Sequence, residues 1–354
     1  MAERRITIGS LTGHIFTPSS RFRVRQLILP LQARGIDLVD FPRRYSSENL
    51  HAFLPHLRIR ESFLKMGYAA VQEVANILQS AGRLYSMSDF DYSFISREIM
   101  VGYPSFEWMV PNKIIYDIDD AIFLYGPHNE SKTRRLVEAA KVIFAGNEYL
   151  ADWCRAYSVN VHLLPTAVDT SRFSPALARN AGPFVVGWSG TSTAFKYLVA
   201  IEDQLIHFFE THDDAIFTVC SDRYPTELSK LEKYLRFEQW TEENEVRQIQ
   251  DFSVGIMPVD RDEWALGKCS YKMLLYLSCA VPCCVTAWGM NAEILGQGRV
   301  GLGVDSGREW CELLDDMYKS RFELQARFPD CRAVVERHYS LPSVANSFAW
   351  ALEQ

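Results

Sequence analysis

Residues 184–190 read Phe184-Val-Val-Gly-Trp-Ser-Gly, an apolar run that ends in a turn of small residues. Ile6-Thr-Ile-Gly-Ser, near the start of the chain, has the same form. Between the two, the stretch Pro165 to Pro183 holds three prolines and Gly182, which is the chemistry of a linker. A strand-turn unit therefore begins, runs its course and begins again. Before the linker the apolar runs are Ile6–Ser10, Leu38–Phe41, Tyr92–Ser96, Ile114–Ile118, Val142–Ala145 and Val161–Leu164. After it they are Phe184–Trp188, Ile216–Cys220, Ser253–Met257, Val281–Thr286 and Gly301–Val304. Helical patterns lie between them, among them Arg21–Arg34, Tyr149–Tyr157, Leu198–Thr211, Glu242–Asp251 and Tyr271–Cys279. Runs that alternate in this way argue for parallel sheets covered by helices. The expected architecture is α/β, with two Rossmann-like domains whose parallel sheets face a cleft. The domains are expected at 1–175 and 176–335, followed by a closing helical segment, 336–354, with Pro342 at a break or kink.

Length and composition agree with two packed domains. The chain has 354 residues, 48% hydrophobic and 23% charged, which favours a globular core over disorder. A net charge of −7 disfavours a broad nucleic-acid surface. The apolar stretch Ile6–Leu11 is too short for a signal-peptide core, and no run approaches the roughly 18 apolar residues of a membrane span. A cytoplasmic location is expected. The eight cysteines form no C-x-x-C pair and lack histidines at zinc spacing, so they read as reduced, buried small hydrophobes.

In open α/β sheets, ligands bind beyond the carboxyl ends of the strands. Four strand ends carry suitable chemistry. The first is Gly9-Ser-Leu-Thr-Gly13, which leads to Ser19-Ser-Arg21-Phe-Arg23-Val-Arg25. It is a Gly, Ser and Thr loop feeding a helix capped by Ser19 or Ser20, suited to an anion or a sugar hydroxyl. Its glycine spacing does not match a dinucleotide fingerprint. The second is Ile114-Ile-Tyr-Asp117-Ile-Asp119-Asp120, where three carboxylates end an apolar strand and need donors, a metal or a substrate. The third is Gly187-Trp-Ser-Gly190-Thr191-Ser-Thr-Ala-Phe-Lys196, where small residues admit a phosphate and Lys196 supplies charge. It lacks the Gly-Lys-Ser/Thr ending of a P-loop. The fourth runs from Met257 through Asp260, Asp262, Glu263, Lys268, Ser270, Tyr271 and Lys272 to Val281-Pro282. Its carboxylates suit sugar and ribose hydroxyls. Lys268 and Lys272, four apart on one helical turn, suit a diphosphate. Solvated loops and helix caps are the plain alternative for all four. Asp169, in Leu164-Pro-Thr-Ala-Val-Asp169-Thr-Ser-Arg-Phe, reads as a turn cap or part of a hinge.

Together these stretches resemble family 4 of the retaining glycosyltransferases, which have the GT-B fold. Ala145-Gly-Asn-Glu-Tyr-Leu and Gly267-Lys-Cys-Ser-Tyr-Lys add to the set, and the resemblance spans nearly the whole chain. It implies a nucleoside diphosphate sugar bound by the C-terminal domain and a hydroxyl acceptor (glycan, glycolipid or natural product) bound by the N-terminal domain. It also implies retention at the anomeric carbon. Lys196 looks like the family's diphosphate lysine. Phe237-Glu-Gln239-Trp240-Thr sits where relatives hold the base. By this reading the donor residues are Gly190, Thr191, Lys196, Gln239, Trp240, Glu263, Lys268, Ser270, Tyr271 and Lys272. Asp117, Asp119 and Lys196 are the catalytic set, and Gly13, Arg21, Arg23 and Asp120 face the acceptor. No metal and no further cofactor is expected.

The chain departs from the family at several points. The usual paired glutamates fall at Gly267 and Leu275, with Glu263 as the nearest acidic stand-in for the first. The arginine that precedes the diphosphate lysine is missing, which leaves its charge to Lys268 or Lys272. Two other readings follow. One is a nucleotide-sugar-binding protein without catalysis. The other rests on Asp117-x-Asp119, which resembles the first motif of Mg²⁺-dependent haloacid-dehalogenase-like phosphatases. The segment Leu57–Lys65 mixes basic and apolar residues, as a peripheral membrane contact would.

Overall fold

The computed structural model describes residues 5–14, 17–43, 82–97, 107–126, 128–177, 182–305 and 307–354. The Leu57–Lys65 segment lies outside them. The chain forms two compact units. One comprises Met1–Thr166 with Val344–Gln354, the other Ala167–Ser343.

The first unit is built on six strands, β1 (Ile6–His14), β2 (Ile36–Arg43), β3 (Tyr92–Ser96), β4 (Lys113–Ile118), β5 (Ala140–Ala145) and β6 (Val161–Leu163). They form one sheet in the order β2-β1-β3-β4-β5-β6, with every pairing parallel. The central strands are buried on both faces, which is why they read as continuous apolar runs. Residues at the C-terminus complete this core. Phe348 stacks against Phe94 and packs on Phe144, with ring centroids 6.0 and 4.6 Å apart, and Asn346 accepts a hydrogen bond from Arg34.

The expected helix Arg21–Arg34 is broken. A π-type turn at Ser20–Val24 passes into a 3-10 turn at Arg25–Leu27, and only Ile28–Gln32 is α-helical. Pro30 explains the interruption, because it has no N–H to continue the ladder. Neither Ser19 nor Ser20 caps this segment. Ser19 is already in the helical region, with φ −59° and ψ −41°, and its side chain makes no capping bond.

The second unit carries β7 (Phe184–Ser189), β8 (Ala215–Ser221), β9 (Leu235–Gln239), β10 (Val254–Met257), β11 (Cys283–Thr286) and β12 (Gly301–Val304). Their order is β12-β11-β10-β7-β8-β9, again all parallel. Counted from β7, this is the doubly wound order 3-2-1-4-5-6, with its switch point between β7 and β10. β9 is not among the apolar runs read from the sequence, although it includes Phe237–Gln239 of the stretch assigned to the base. It is an edge strand of mixed polarity, Leu-Arg-Phe-Glu-Gln, so no apolar run announces it. The segment from Ala167 is tied into this unit. Arg332 donates to the carbonyls of Thr170, Phe173 and Ser278, and the Val168 N–H donates to the Tyr339 carbonyl. Asp169 accepts from the backbone N–H groups of Ser171 and Arg172, the turn-capping geometry its sequence context allows.

Candidate functional site

The β7/β10 switch point is where this topology opens a crevice. β7 leaves it through Ser189 and Gly190, and β10 through Pro258, Val259 and Asp260. Two close approaches fix the local geometry. A Cβ on Gly187 would lie 2.0 Å from the Phe252 ring, and one on Gly255 would lie 2.3 Å from the Tyr276 ring. Only glycine lets these rings cross the strands. Tyr276 belongs to the helix Tyr271–Ser278, and its hydroxyl accepts the Ser189 N–H at 2.9 Å. Burial pushes that phenol well above its ordinary range.

The same helix carries Lys272. Its stem lies across the Gly190 turn, so that a Cβ on Gly190 would meet Lys272 Cε at 2.4 Å and the edge of the Trp188 ring at 2.8 Å. The ammonium stands 5.9 Å from the centre of the Trp188 ring. Lys196 sits on the short helix Phe195–Val199 that follows the turn. Its Nζ is 3.4 Å from Asp260 and 4.6 Å from the Tyr197 ring centre. The Tyr197 phenol, with the Asp260 carboxylate, holds its ammonium above the ordinary lysine range against the opposing effect of burial. Each lysine thus reaches from one bank of the switch point to the other: Lys272, on the helix that follows β10, lies over the end of β7, and Lys196, on the helix that follows β7, meets Asp260 in the loop after β10.

The turn itself is held by Asp222, which the sequence reading passed over. Ser192 donates to it from both its N–H, at 2.6 Å, and its hydroxyl, at 2.8 Å. Partial burial pulls the Asp222 carboxyl upward, but the hydrogen bonds from Ser192 and Ser221 outweigh it and hold the carboxyl below its ordinary range. Thr191 is exposed beside it. Gln239 ends β9 and donates to the Asp222 carbonyl, and the Trp240 N–H donates to the Ser221 carbonyl, so both stand next to the Ser192 turn. Glu263 opens the short helix Glu263–Leu266, capped by Asp262 on the Ala265 N–H. Lys268 lies 4.5 Å from the centre of the Trp264 ring. Ser270, buried and in the left-handed region at φ +49°, starts the helix that bears Tyr271 and Lys272. Leu275, at the second glutamate position, is buried in that helix, and Gly267 is buried before it. A cavity of about 550 Å³ adjoins Asp260, with Tyr197, Arg261, Thr286, Arg308 and Trp310 also on its walls.

The first unit gathers its charges at the ends of β3 and β4. Arg23 and Asp117 form a bidentate ion pair with both side chains out of solvent, and Arg23 also donates to the Leu164 carbonyl at 2.6 Å. Burial pushes the Asp117 carboxyl up, and the Arg23 charge and hydrogen bonds pull it down. Arg97, absent from the sequence reading, pairs with both Asp119 and Asp120. Its backbone is left-handed, φ +59°, and its N–H donates to the Asp117 carbonyl at 2.8 Å. A cation at the end of the strand beside an acidic strand end was the available clue. Gly13 is half-buried, with the Thr17 and Ser20 hydroxyls closest to where its Cβ would stand, and Arg21 lies over the Phe22 ring. Among the described residues, no group of three or more His, Cys, Asp or Glu could hold a metal ion, and no helix is long and apolar enough to cross a membrane.

Solved structures match this architecture over nearly its full length. HepE from Anabaena, in complex with UDP and glucose, superimposes with a TM-score of 0.72 at 12% identity, covering 99% of this chain and 100% of that one. The chain has the GT-B fold. Sucrose-phosphate synthase from Thermosynechococcus elongatus gives a TM-score of 0.68 at 13% identity, with 99% of both chains covered. A glycosyltransferase from Rickettsia africae gives 0.67 at 12%, covering 99% of this chain and 98% of that one. No family model matches the sequence, and no curated protein matches it either. The likeness to these structures is one of fold, at 12–13% identity.

Proposed function

We propose that the protein is a glycosyltransferase that moves a sugar from a nucleoside diphosphate donor to a hydroxyl acceptor with retention at the anomeric carbon. The observation that carries this reading is the pair of lysines anchored on the two banks of the β7/β10 switch point, beside a turn of small residues. The principal chemical demand of the reaction is to stabilise the departing diphosphate. Fixed cations at a partly desolvated crevice meet that demand. The Ser192 turn, Gln239 and Trp240 line the route to the nucleoside, and Glu263 supplies a carboxylate for sugar hydroxyls. The leaving phosphate oxygen accepts the proton of the acceptor hydroxyl, so the reaction needs no separate protein base. Asp119 and Asp120, held by Arg97, are the acceptor-side carboxylates, with the Arg23–Asp117 pair as their buried support. The bound nucleotides of the HepE complexes, UDP and UDP-glucose, support a uridine donor as the first to test.

The phosphatase reading fits the geometry poorly. A nucleophilic carboxylate must reach its substrate, and Asp117 is wholly buried with both oxygens on Arg23. The test of the transferase reading is release of nucleoside diphosphate from a panel of UDP-, GDP- and ADP-sugars, with water, polyols and lipid extracts as acceptors. Turnover that falls steeply in the Lys196→Ala/Lys272→Ala double variant is expected, and NMR of the product's anomeric proton reads its configuration. Donor binding without release under any condition would instead favour the binding-only protein.

A further inference from the structure

The second unit holds its two candidate diphosphate lysines in different ways. Lys196 is exposed, and a carboxylate, Asp260, stands 3.4 Å from its ammonium. Lys272 is half-buried, and its stem is guided by its surroundings. Gly190 leaves room for its Cε where any side chain would collide at 2.4 Å, and the buried Trp188 lies beneath its ammonium. The helix that carries it is registered against β7, because the Tyr276 hydroxyl takes the Ser189 N–H at 2.9 Å, one residue before Gly190. Gly255 in turn gives the Tyr276 ring its passage across β10. A side chain held in place before the ligand arrives loses less freedom on binding than an exposed one.

We infer that Lys272 is the principal diphosphate-binding cation of this protein and that Gly190 and Trp188 are its positioning residues, with Lys196 in a secondary role. Lys272 thereby supplies the charge of the arginine missing from the turn, where Trp188-Ser-Gly190 stands. The inference rests on the donor-site reading above and adds the order of importance of its two lysines and the residues that aim the first of them.

The experiment is calorimetric titration of the full-length protein with UDP, GDP and ADP, in the parent, Lys272→Ala, Lys196→Ala, Gly190→Ala and the Gly190→Ala/Lys272→Ala double variant. Melting temperatures establish that each variant is folded. Loss of a charge-assisted contact predicts about 10- to 100-fold weaker binding for Lys272→Ala. Lys196→Ala, which loses an exposed cation screened by solvent, is expected to weaken binding by less than about fivefold. Gly190→Ala should weaken binding when Lys272 is present and have no further effect when it is absent, because it acts by displacing that lysine. Lys272→Arg, which keeps the charge on a longer stem, should recover part of the affinity. Should Gly190→Ala fail to fold, Trp188→Phe takes its place in the cycle. A larger loss from Lys196→Ala than from Lys272→Ala would overturn the inference and leave the donor site intact. Additive losses in the double variant would overturn the positioning role. No binding of any nucleoside diphosphate by the parent would instead overturn the donor-site reading itself.

Discussion

Arg23 spreads its guanidinium across the carboxylate of Asp117, with Nε 3.1 Å from one oxygen and Nη2 on the other, and neither side chain reaches solvent. A buried pair of this kind is costly to break from one side, because the partner left behind is an uncompensated charge. Asp117→Ala should therefore destabilise the protein by about 3–5 kcal/mol in urea unfolding. Replacing both residues, as Arg23→Met with Asp117→Leu, should recover most of that loss. A double variant no better than the single would show that the site needs the charges themselves.

Gly187 sits where the Phe252 ring crosses β7, at 2.0 Å from an added Cβ. Overpacking at such a point costs about 1–3 kcal/mol. Gly187→Ala should lower the melting temperature, and on a Phe252→Ala background, where the ring is gone, the same substitution should lower it less. Equal melting temperatures for parent and Gly187→Ala would contradict the packing described for β7.

Asp222 makes the turn at Ser192 depend on pH. Its folded carboxyl lies below the ordinary value of 3.8, so it stabilises the fold when ionised. That contribution is complete above the ordinary aspartate value and is lost as pH falls through the lowered folded one. Asp222→Asn should melt below the parent at pH 7, and the gap should close in the acid range. A gap that persists unchanged under acid would show that the carboxylate charge is not what holds the turn.

The cysteines give a direct measure of core burial. Seven of the eight are buried and Cys311 is half-buried. Burial pushes the Cys154 thiol up to about 12 and Cys283 far above its usual range. A thiol reagent at neutral pH should label no more than about one cysteine per native chain and all eight after unfolding without reductant. Rapid labelling of several in the native state would contradict the packing of β8 and β11.

Most of the sheet framework was legible because strands buried on both faces must be apolar throughout. Ile114–Ile118 and Phe184–Trp188 stand out for that reason. The edge strand β9 did not, since an edge tolerates Arg236, Glu238 and Gln239. The first helix misled because its apolar spacing continues through Pro30, where the hydrogen-bond ladder does not. At the candidate site, Gly190, Lys196 and Lys272 could be singled out by residue type and by position at strand ends. Their partners could not. Asp222 and Asp260 reach the turn and Lys196 from other strands, and Arg97 meets Asp119 across the β3–β4 pairing. Such long-range pairings are set by strand order, which local sequence does not encode.

The central claim is that the β7/β10 crevice binds a nucleoside diphosphate. A thermal-shift screen of the purified chain against UDP, GDP, ADP and their sugar conjugates, with and without Mg²⁺, tests it most directly, because a ligand that binds the folded state raises its melting temperature. The account predicts stabilisation by one nucleoside diphosphate series that is lost in the Lys196→Ala/Lys272→Ala double variant. Melting temperatures unmoved by every nucleotide would contradict it.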